Sequence, residues 1–394
     1  MDHTVFQRLL TPVGQEILQV ATALSPRESD FLIHFQSLNR RFPPDLARAA
    51  LEIAILRREA IAKFPFADKL YLTRQALEQA SSYAVSSYRA ERFQQFPCIA
   101  DLGCSIGGDT FAMAKIAPTI GLDVDLLRLS MASTNLDALG LSAHAQLIQS
   151  DLTFRFPFKS RKIALFFDPA RRAGERRFFS VQQYRPPLSI ILDWLPHYPS
   201  LGVKISPGVN MAELERYEAE VEFISLRGEL KEAVLWFGPL KISSRRATVL
   251  PGPYQLATNN TDHSSPTHTR ISNPESYIYE PDPAVIRSGL VTTLAKMLNA
   301  SQMDPDIAYL TSEALSPTPF ARVWMIEDWF PFQLKRLRAY CYQRHIGHVT
   351  VKKRGSPHEP DFLIHQLRLK GDQECVLVLT HLRGEPIVII CIGV

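Results

Sequence analysis

After Phe96 five short apolar runs follow one another, CIADLGC, PTIGLDVD, AQLIQSD, KIALFFD and LGVKISPG, and each stops in a polar or glycine-containing turn. Helix-length segments such as GDTFAMAKIA and LLRLSMASTNLDALG separate most of them. Strands alternating with helices imply βαβ units, and therefore a parallel sheet whose strands, covered on both faces, read as near-continuous apolar runs. VEFISLRGEL, KEAVLWFG and RRATVLPG follow with little room for helices, so antiparallel pairing is expected at one edge of this sheet.

The flanks have a different texture. Upstream, Ser25-Pro26-Arg27-Glu28 has the form of a capping box that should start a helix. DLARAALEIAILRREAIAKF carries apolar residues at three and four spacings, and Thr73 can cap TRQALEQASSYAVSSYRAERF. A helical N-terminal lobe over 1–95 is expected, then the α/β domain over 96–258. The polar, turn-rich stretch 259–275 reads as a linker. Beyond it, AVIRSGLVTTLAKMLNA and FPFQLKRLRAYCYQR suggest helices, while HVTVKK, QECVLVLTH and EPIVIICIG suggest strands, giving a small α+β module at the C-terminus.

With 46% hydrophobic and 21% charged residues among 394, the chain has the composition of a soluble globular protein of two or three domains. No run approaches the length of a membrane span and no cleavable leader opens the sequence, so a cytoplasmic address and no membrane partner are expected. Five scattered cysteines without a C-x-x-C pair, and eleven histidines without a ligand cluster, indicate no metal site. The net charge of +4 says little about partners. The segment Pro331 to His358 says more, because it holds seven lysines and arginines and no acid, a composition attractive to polyanions.

The chemistry concentrates at the strand ends. Asp101-Leu102-Gly103-Cys104-Ser105-Ile106-Gly107-Gly108-Asp109 carries a strand through glycines into a helix, which lets backbone approach a ligand closely and points helix N–H groups at it. Asp123 closes the second run, 22 residues after Asp101, where a carboxylate can accept from both hydroxyls of a ribose. Asp151 closes the third, where an acid can accept from an adenine amino group. These acids line the edge at which open α/β sheets bind ligands. The glycines lack the G-x-G-x-x-G spacing for a dinucleotide pyrophosphate, and Asp101 would repel phosphate, so a cationic nucleoside cofactor is preferred.

Here the chain resembles class I S-adenosylmethionine-dependent methyltransferases, whose first motif is an acid followed by G-x-G-x-G. More closely it resembles a bacterial family of such enzymes with a THUMP-like C-terminal domain, through KFPFADKLYLTRQALEQA, DLGCSIGGD, FFDPARR, GVKISPG, RGELKEAVLWFG, YIYEPDPAVIRSGL and VTVKKRG, in that order. The resemblance implies a Rossmann-like methyltransferase sheet, a ferredoxin-like unit over 276–345 and a THUMP-like domain over 346–394. It also implies S-adenosyl-L-methionine as cofactor, bound by Asp101, Gly103, Ser105, Gly107, Asp123 and Asp151. Ser105 stands where the middle glycine belongs and is accommodated if its φ is negative.

In the same class the fourth strand end often reads D/N-P-P-aromatic and holds an amine at the transferred methyl. Asp168 and Pro169 match its first half and are the expected catalytic residues; Ala170 and Arg171 do not match the second. Three readings of Asp168 stand side by side: a turn-capping acid, a group that orients or deprotonates the nucleophile, and a contact to the methionine end of the cofactor. Arg171, Arg172 and Lys204 are candidates for substrate binding, as are Lys352, Lys353 and Arg354. The THUMP likeness implies structured RNA as partner, and the half-match of Asp168 and Pro169 to the amine motif makes a base nitrogen the expected acceptor. A small-molecule or protein acceptor, or a non-catalytic RNA-binding protein on this fold, are the alternatives, and the sequence leaves the oligomeric state open.

Overall fold

The structure, a computed structural model, describes residues 1–170, 172–173, 176–177, 180–259 and 269–393. The chain forms two compact units, residues 1–220 with 231–242, and residues 221–230 with 243–394.

The first unit opens with α1 (His3–Leu9), α2 (Pro12–Ala23), α3 (Phe31–Asn39), α4 (Pro44–Ala60), α5 (Arg74–Gln79) and α6 (Tyr83–Glu91). Helix α4 buries Leu46, Ala50, Ile53, Leu56 and six more residues spread around its circumference, so the other helices can pack on it from several sides. The expected capping box at Ser25 does not form. Ser25 adopts φ 49°, a single tight turn at Glu28–Asp30 precedes α3, and Glu28 is drawn away by Arg74 at 2.5 Å instead of reaching back to the cap. Thr73 caps α5 as expected, its Oγ1 accepting from the Ala76 N–H at 3.2 Å. The helix it starts is broken, however: Lys63 Nζ donates to the carbonyls of Leu77, Glu78 and Ala80, closing α5 before α6 begins.

The sheet of this unit contains β1 (Cys98–Leu102), β2 (Thr119–Asp123), β3 (Ala145–Gln149), β4 (Ile163–Phe167), β5 (Leu201–Ile205) and most of β7 (Glu229–Phe237). Between them lie α7 (Thr110–Met113), α8 (Leu126–Ala138) and α9 (Ile191–Trp194). The strands lie in the order β7-β5-β4-β1-β2-β3, parallel throughout except for β7, which runs antiparallel to β5. All five residues of β4 are buried, as a central parallel strand requires. Strand order reverses between β1 and β4, so the loops leaving these two strands part company there and open a crevice, the switch point of an open α/β sheet.

In the second unit β6 (Glu220–Leu226) runs parallel to β8 (Arg245–Leu250), which pairs antiparallel with β9 (Tyr254–Thr258). A seven-stranded sheet follows, ordered β11 (Ser301–Asp304), β12 (Ile307–Ser312), β10 (Tyr277–Pro281), β13 (Ala321–Pro331), β16 (Glu385–Ile392), β15 (Gln373–Leu382), β14 (Ile346–Lys353). Its helices are α10 (Pro283–Arg287), α11 (Val291–Leu298), α12 (Leu334–Gln343) and α13 (Pro360–Leu367). Within this sheet, among the described residues, β14 and β15 are the parallel pair, as neighbours joined through a helix can be. Positions 260–268 of the expected linker lie outside the described residues.

Candidate active site

The loop leaving β1 is held in left-handed backbone at three of five positions, Gly103 (φ 85°), Ser105 (φ 51°) and Gly107 (φ 90°). At Gly107 a Cβ would fall 2.6 Å from the Phe111 ring, and at Gly103 it would fall 3.1 Å from the Asp168 carbonyl oxygen. Only glycine fits both conditions. Ser105 departs from the negative φ expected of it, and the reason lies in its N–H, which donates to Asp123 Oδ2 at 2.8 Å. The Asp125 N–H donates to the other oxygen, Oδ1, at 2.9 Å. Each Asp123 oxygen keeps a lone pair for a further donor.

Behind the loop lies a cluster of buried charge. Asp101 is 1% exposed, accepts from Thr110 Oγ1 at 2.6 Å, and is pushed up to about 8 by burial, with Asp109 and Asp168 adding to the rise. Asp109 is raised too, burial outweighing the pull of Arg89 and Lys204. Arg89, wholly buried on α6, pairs with Asp109 and with Glu232 (2.9 Å) and lies over the Phe166 ring at 4.6 Å. Burial works against its charge, but the carboxylates outweigh it and its pKa is raised.

Asp168 closes β4, its N–H donating to Leu102 O at 3.2 Å. Its Oδ2 accepts from Lys204 Nζ at 2.7 Å, and the pair is unevenly buried, 3% of the lysine side chain and 22% of the aspartate being exposed. Lys204 is therefore a buried counter-ion to Asp168 and not the free cation a substrate contact needs. Gln79 O lies 3.4 Å from the same ammonium. Lys63, nearby, is pushed down to about 8 by burial and then by the charges of Lys204 and Lys231. Among the described residues the second Asp168 oxygen has no hydrogen-bond partner.

The expected site residues thus fall into groups. Asp101, Gly103, Ser105, Gly107, Asp123, Asp168 and Pro169 converge at the switch point, and Lys204 joins them through Asp168. Asp151 stands apart, fully exposed beyond β3; its Oδ1 accepts from the Thr153 N–H and Oγ1 at 2.8 and 2.7 Å, bonds that lower its pKa. Arg171 lies outside the described residues, and of Arg172 only the backbone is described, paired with Arg177.

In the second unit, Lys352 and Arg354 share Glu280 (3.2 and 3.8 Å) and Lys353 pairs with Glu359 (2.5 Å). The acid-free run is thereby neutralised in part, by acids from other elements. Sequence reasoning missed Arg89, Asp109 and Thr110. The one signal for this network was a paired acid in GELKEA, whose arginine lies far off on α6. Among the described residues there is no group of three His, Cys, Asp or Glu arranged to hold a metal, and no helix long and apolar enough to cross a membrane.

Glycines that admit a ligand to the backbone, a strand-end carboxylate with spare lone pairs and a buried acid whose proton a nearby cation would displace suit a positively charged nucleoside. Known proteins agree. A family model described as THUMP domain-like matches residues 321–392, and one for a domain of unknown function (DUF8688) matches residues 2–60. Proteins from two strains of Mycobacterium tuberculosis, each named an uncharacterized S-adenosylmethionine-dependent methyltransferase, are 32% identical to this chain over 349 residues, 86% of it and 94% of their own length. The crystal structure of a proposed methyltransferase from Porphyromonas gingivalis W83 covers 99% of the chain and 98% of its own, with a TM-score of 0.79 at 21% identity, a likeness of fold.

Proposed function

The chain belongs to the S-adenosylmethionine-dependent methyltransferases, and from that premise we propose that it methylates a base nitrogen of RNA. The observation that carries the reading is the approach of the β1 loop to the end of β4, where a Cβ at position 103 would meet the Asp168 carbonyl oxygen at 3.1 Å. The loop that would hold the cofactor and the residue that would hold the acceptor are backbone neighbours.

When bound, S-adenosylmethionine supplies a methyl group activated on a sulfonium sulfur. The cluster around Asp101 provides the negative potential that a sulfonium and an ammonium prefer, and Asp123 provides two lone pairs for ribose hydroxyls. Asp168 is fixed by Lys204 through one oxygen, which leaves the other to accept from an amino N–H. Pro169 stiffens the backbone whose carbonyl can accept a second. Two acceptors on one amino group aim its lone pair, and alignment is the larger part of what a transfer from sulfonium requires. The THUMP domain-like match over 321–392 supports RNA as the acceptor.

The test is transfer of label from S-adenosyl-[methyl-³H]methionine to total RNA from a strain lacking the protein. RNase should release the label, protease and DNase should not, and Asp168→Asn should lower the rate about a hundredfold or more. Label recovered only in protein or in small molecules would refute the reading.

A further inference from the structure

The segment Thr153 to Lys162 does nothing for the site described above, yet its sequence TFRFPFKSRK alternates aromatic and cationic residues. In the first unit it faces residues 190–198 across a cavity of about 660 Å³. The walls are packed aromatic rings. Phe156 stacks on Phe158 with centroids 5.4 Å apart, packs on Trp194 at 5.1 Å, and Trp194 meets Phe167 of β4 at 5.0 Å. Tyr198 Oη donates to Phe158 O at 2.7 Å, and the Thr153 bonds to Asp151 tie the segment to the end of β3.

Against this wall one large ring stays in water: Phe154 is 73% exposed. Arg155, Lys159, Arg161 and Lys162 are exposed around it, and among the described residues none of the four forms an ion pair. Among the described residues the cavity lining offers a single carboxylate, Asp193. A solvent-exposed ring on a packed aromatic wall, ringed by cations without counter-ions among the described residues, is costly for solubility and useful for one kind of ligand. Every nucleobase has a face to stack and every nucleotide a phosphate to neutralise. Duplexes keep their bases stacked inside, so the arrangement favours unpaired nucleotides.

We infer that this surface binds a single-stranded segment of nucleic acid, a base stacking on Phe154 while Arg155, Lys159 and Arg161 meet its phosphates. The inference rests on RNA being the substrate and gives that substrate an unpaired segment, held beside the β3 end of the sheet.

Fluorescence anisotropy with a short labelled single-stranded oligoribonucleotide, over a salt series, tests it. Phe154→Ala should weaken binding by roughly 5- to 150-fold, the effect of losing one stacked base. Replacing Arg155, Lys159 and Arg161 together with alanine should flatten the log–log salt slope by about two units, at roughly 0.7 per phosphate contact. Both variants should bind S-adenosylmethionine as the wild type does, which shows that they fold. Unchanged affinity and slope in both, or displacement of the oligonucleotide by polyglutamate as readily as by unlabelled RNA, would overturn the inference. Wild-type binding with unaffected variants would remove this surface and leave RNA methylation standing. Variants that lose binding in a protein that transfers no methyl to RNA would do the reverse.

Discussion

Replacing Asp168 with asparagine separates the two jobs that this residue is given. The change keeps the shape but removes the charge, and leaves the Lys204 ammonium, 97% of whose side chain is out of solvent, without its carboxylate partner, with only neutral oxygens such as the Gln79 carbonyl at 3.4 Å in reach. Removing one partner of a buried pair costs about 3–5 kcal/mol, because the survivor is an uncompensated charge. Asp168 is a fifth exposed and Lys204 also acts on Asp109, so the low end, about 3 kcal/mol, applies here. At roughly 2–4 °C per kcal/mol for a domain of this size, the melting temperature should fall by about 6–12 °C. Asp168→Asn with Lys204→Met exchanges the pair for neutral groups of similar volume and should recover stability to within about 1 kcal/mol. Methyl transfer should stay low in both, since the double variant restores packing but not the carboxylate. Calorimetric unfolding and the transfer assay read the two effects independently. A single variant as stable as the wild type, or a double variant that loses the sum of its singles, would refute a coupled buried pair.

Further predictions concern the loop, the buried acid and the basic segment. Ser105→Gly should stabilise the protein by roughly 1 kcal/mol by relieving left-handed backbone, whereas Gly103→Ala should cost about 1–3 kcal/mol; thermal unfolding that ranks them the other way would contradict the loop geometry. Asp101, raised by burial from 3.8 to about 8, keeps its proton in the folded chain over a window where the unfolded chain has lost it. Stability should therefore fall as pH rises between those values, at up to about 1.4 kcal/mol per pH unit relative to Asp101→Asn. Denaturant titrations in which the two proteins run parallel across that range would contradict it. Glu280→Gln, which frees Lys352 and Arg354, should tighten RNA binding and steepen its salt slope by about one unit. Replacing Lys352, Lys353 and Arg354 together should flatten the slope, and filter binding that moves neither way would remove this cluster from the RNA surface.

The sheet was legible because each buried strand is an apolar run cut off by an acid or glycine, a local pattern that no distant residue can reverse. β1 to β5 sit where those runs predict them, and Asp101, Asp123 and Asp168 follow from the runs' ends. What escaped was set by partners far along the chain. The Ser25 capping box failed because Arg74 takes Glu28, and the lysines and arginines after Pro331 lost much of their field to Glu280, Glu327 and Glu359. Nothing local marks Arg89, because Glu232, its partner, follows more than a hundred residues later. Ser105 is left-handed through a bond to Asp123 on another strand. β13 was missed because a bulge between Ile326 and Asp328 breaks its alternation.

Nucleoside mass spectrometry reads out whether the proposed methyl group lands on a nitrogen of an RNA base. RNA from cells with and without the protein is digested to nucleosides and compared, before and after incubation with the purified protein and S-adenosylmethionine. One N-methylated nucleoside should be absent from the deletion strain and restored by the wild type but not by Asp168→Asn. An identical nucleoside inventory in both strains, or a methyl found on carbon or on ribose oxygen, would contradict it.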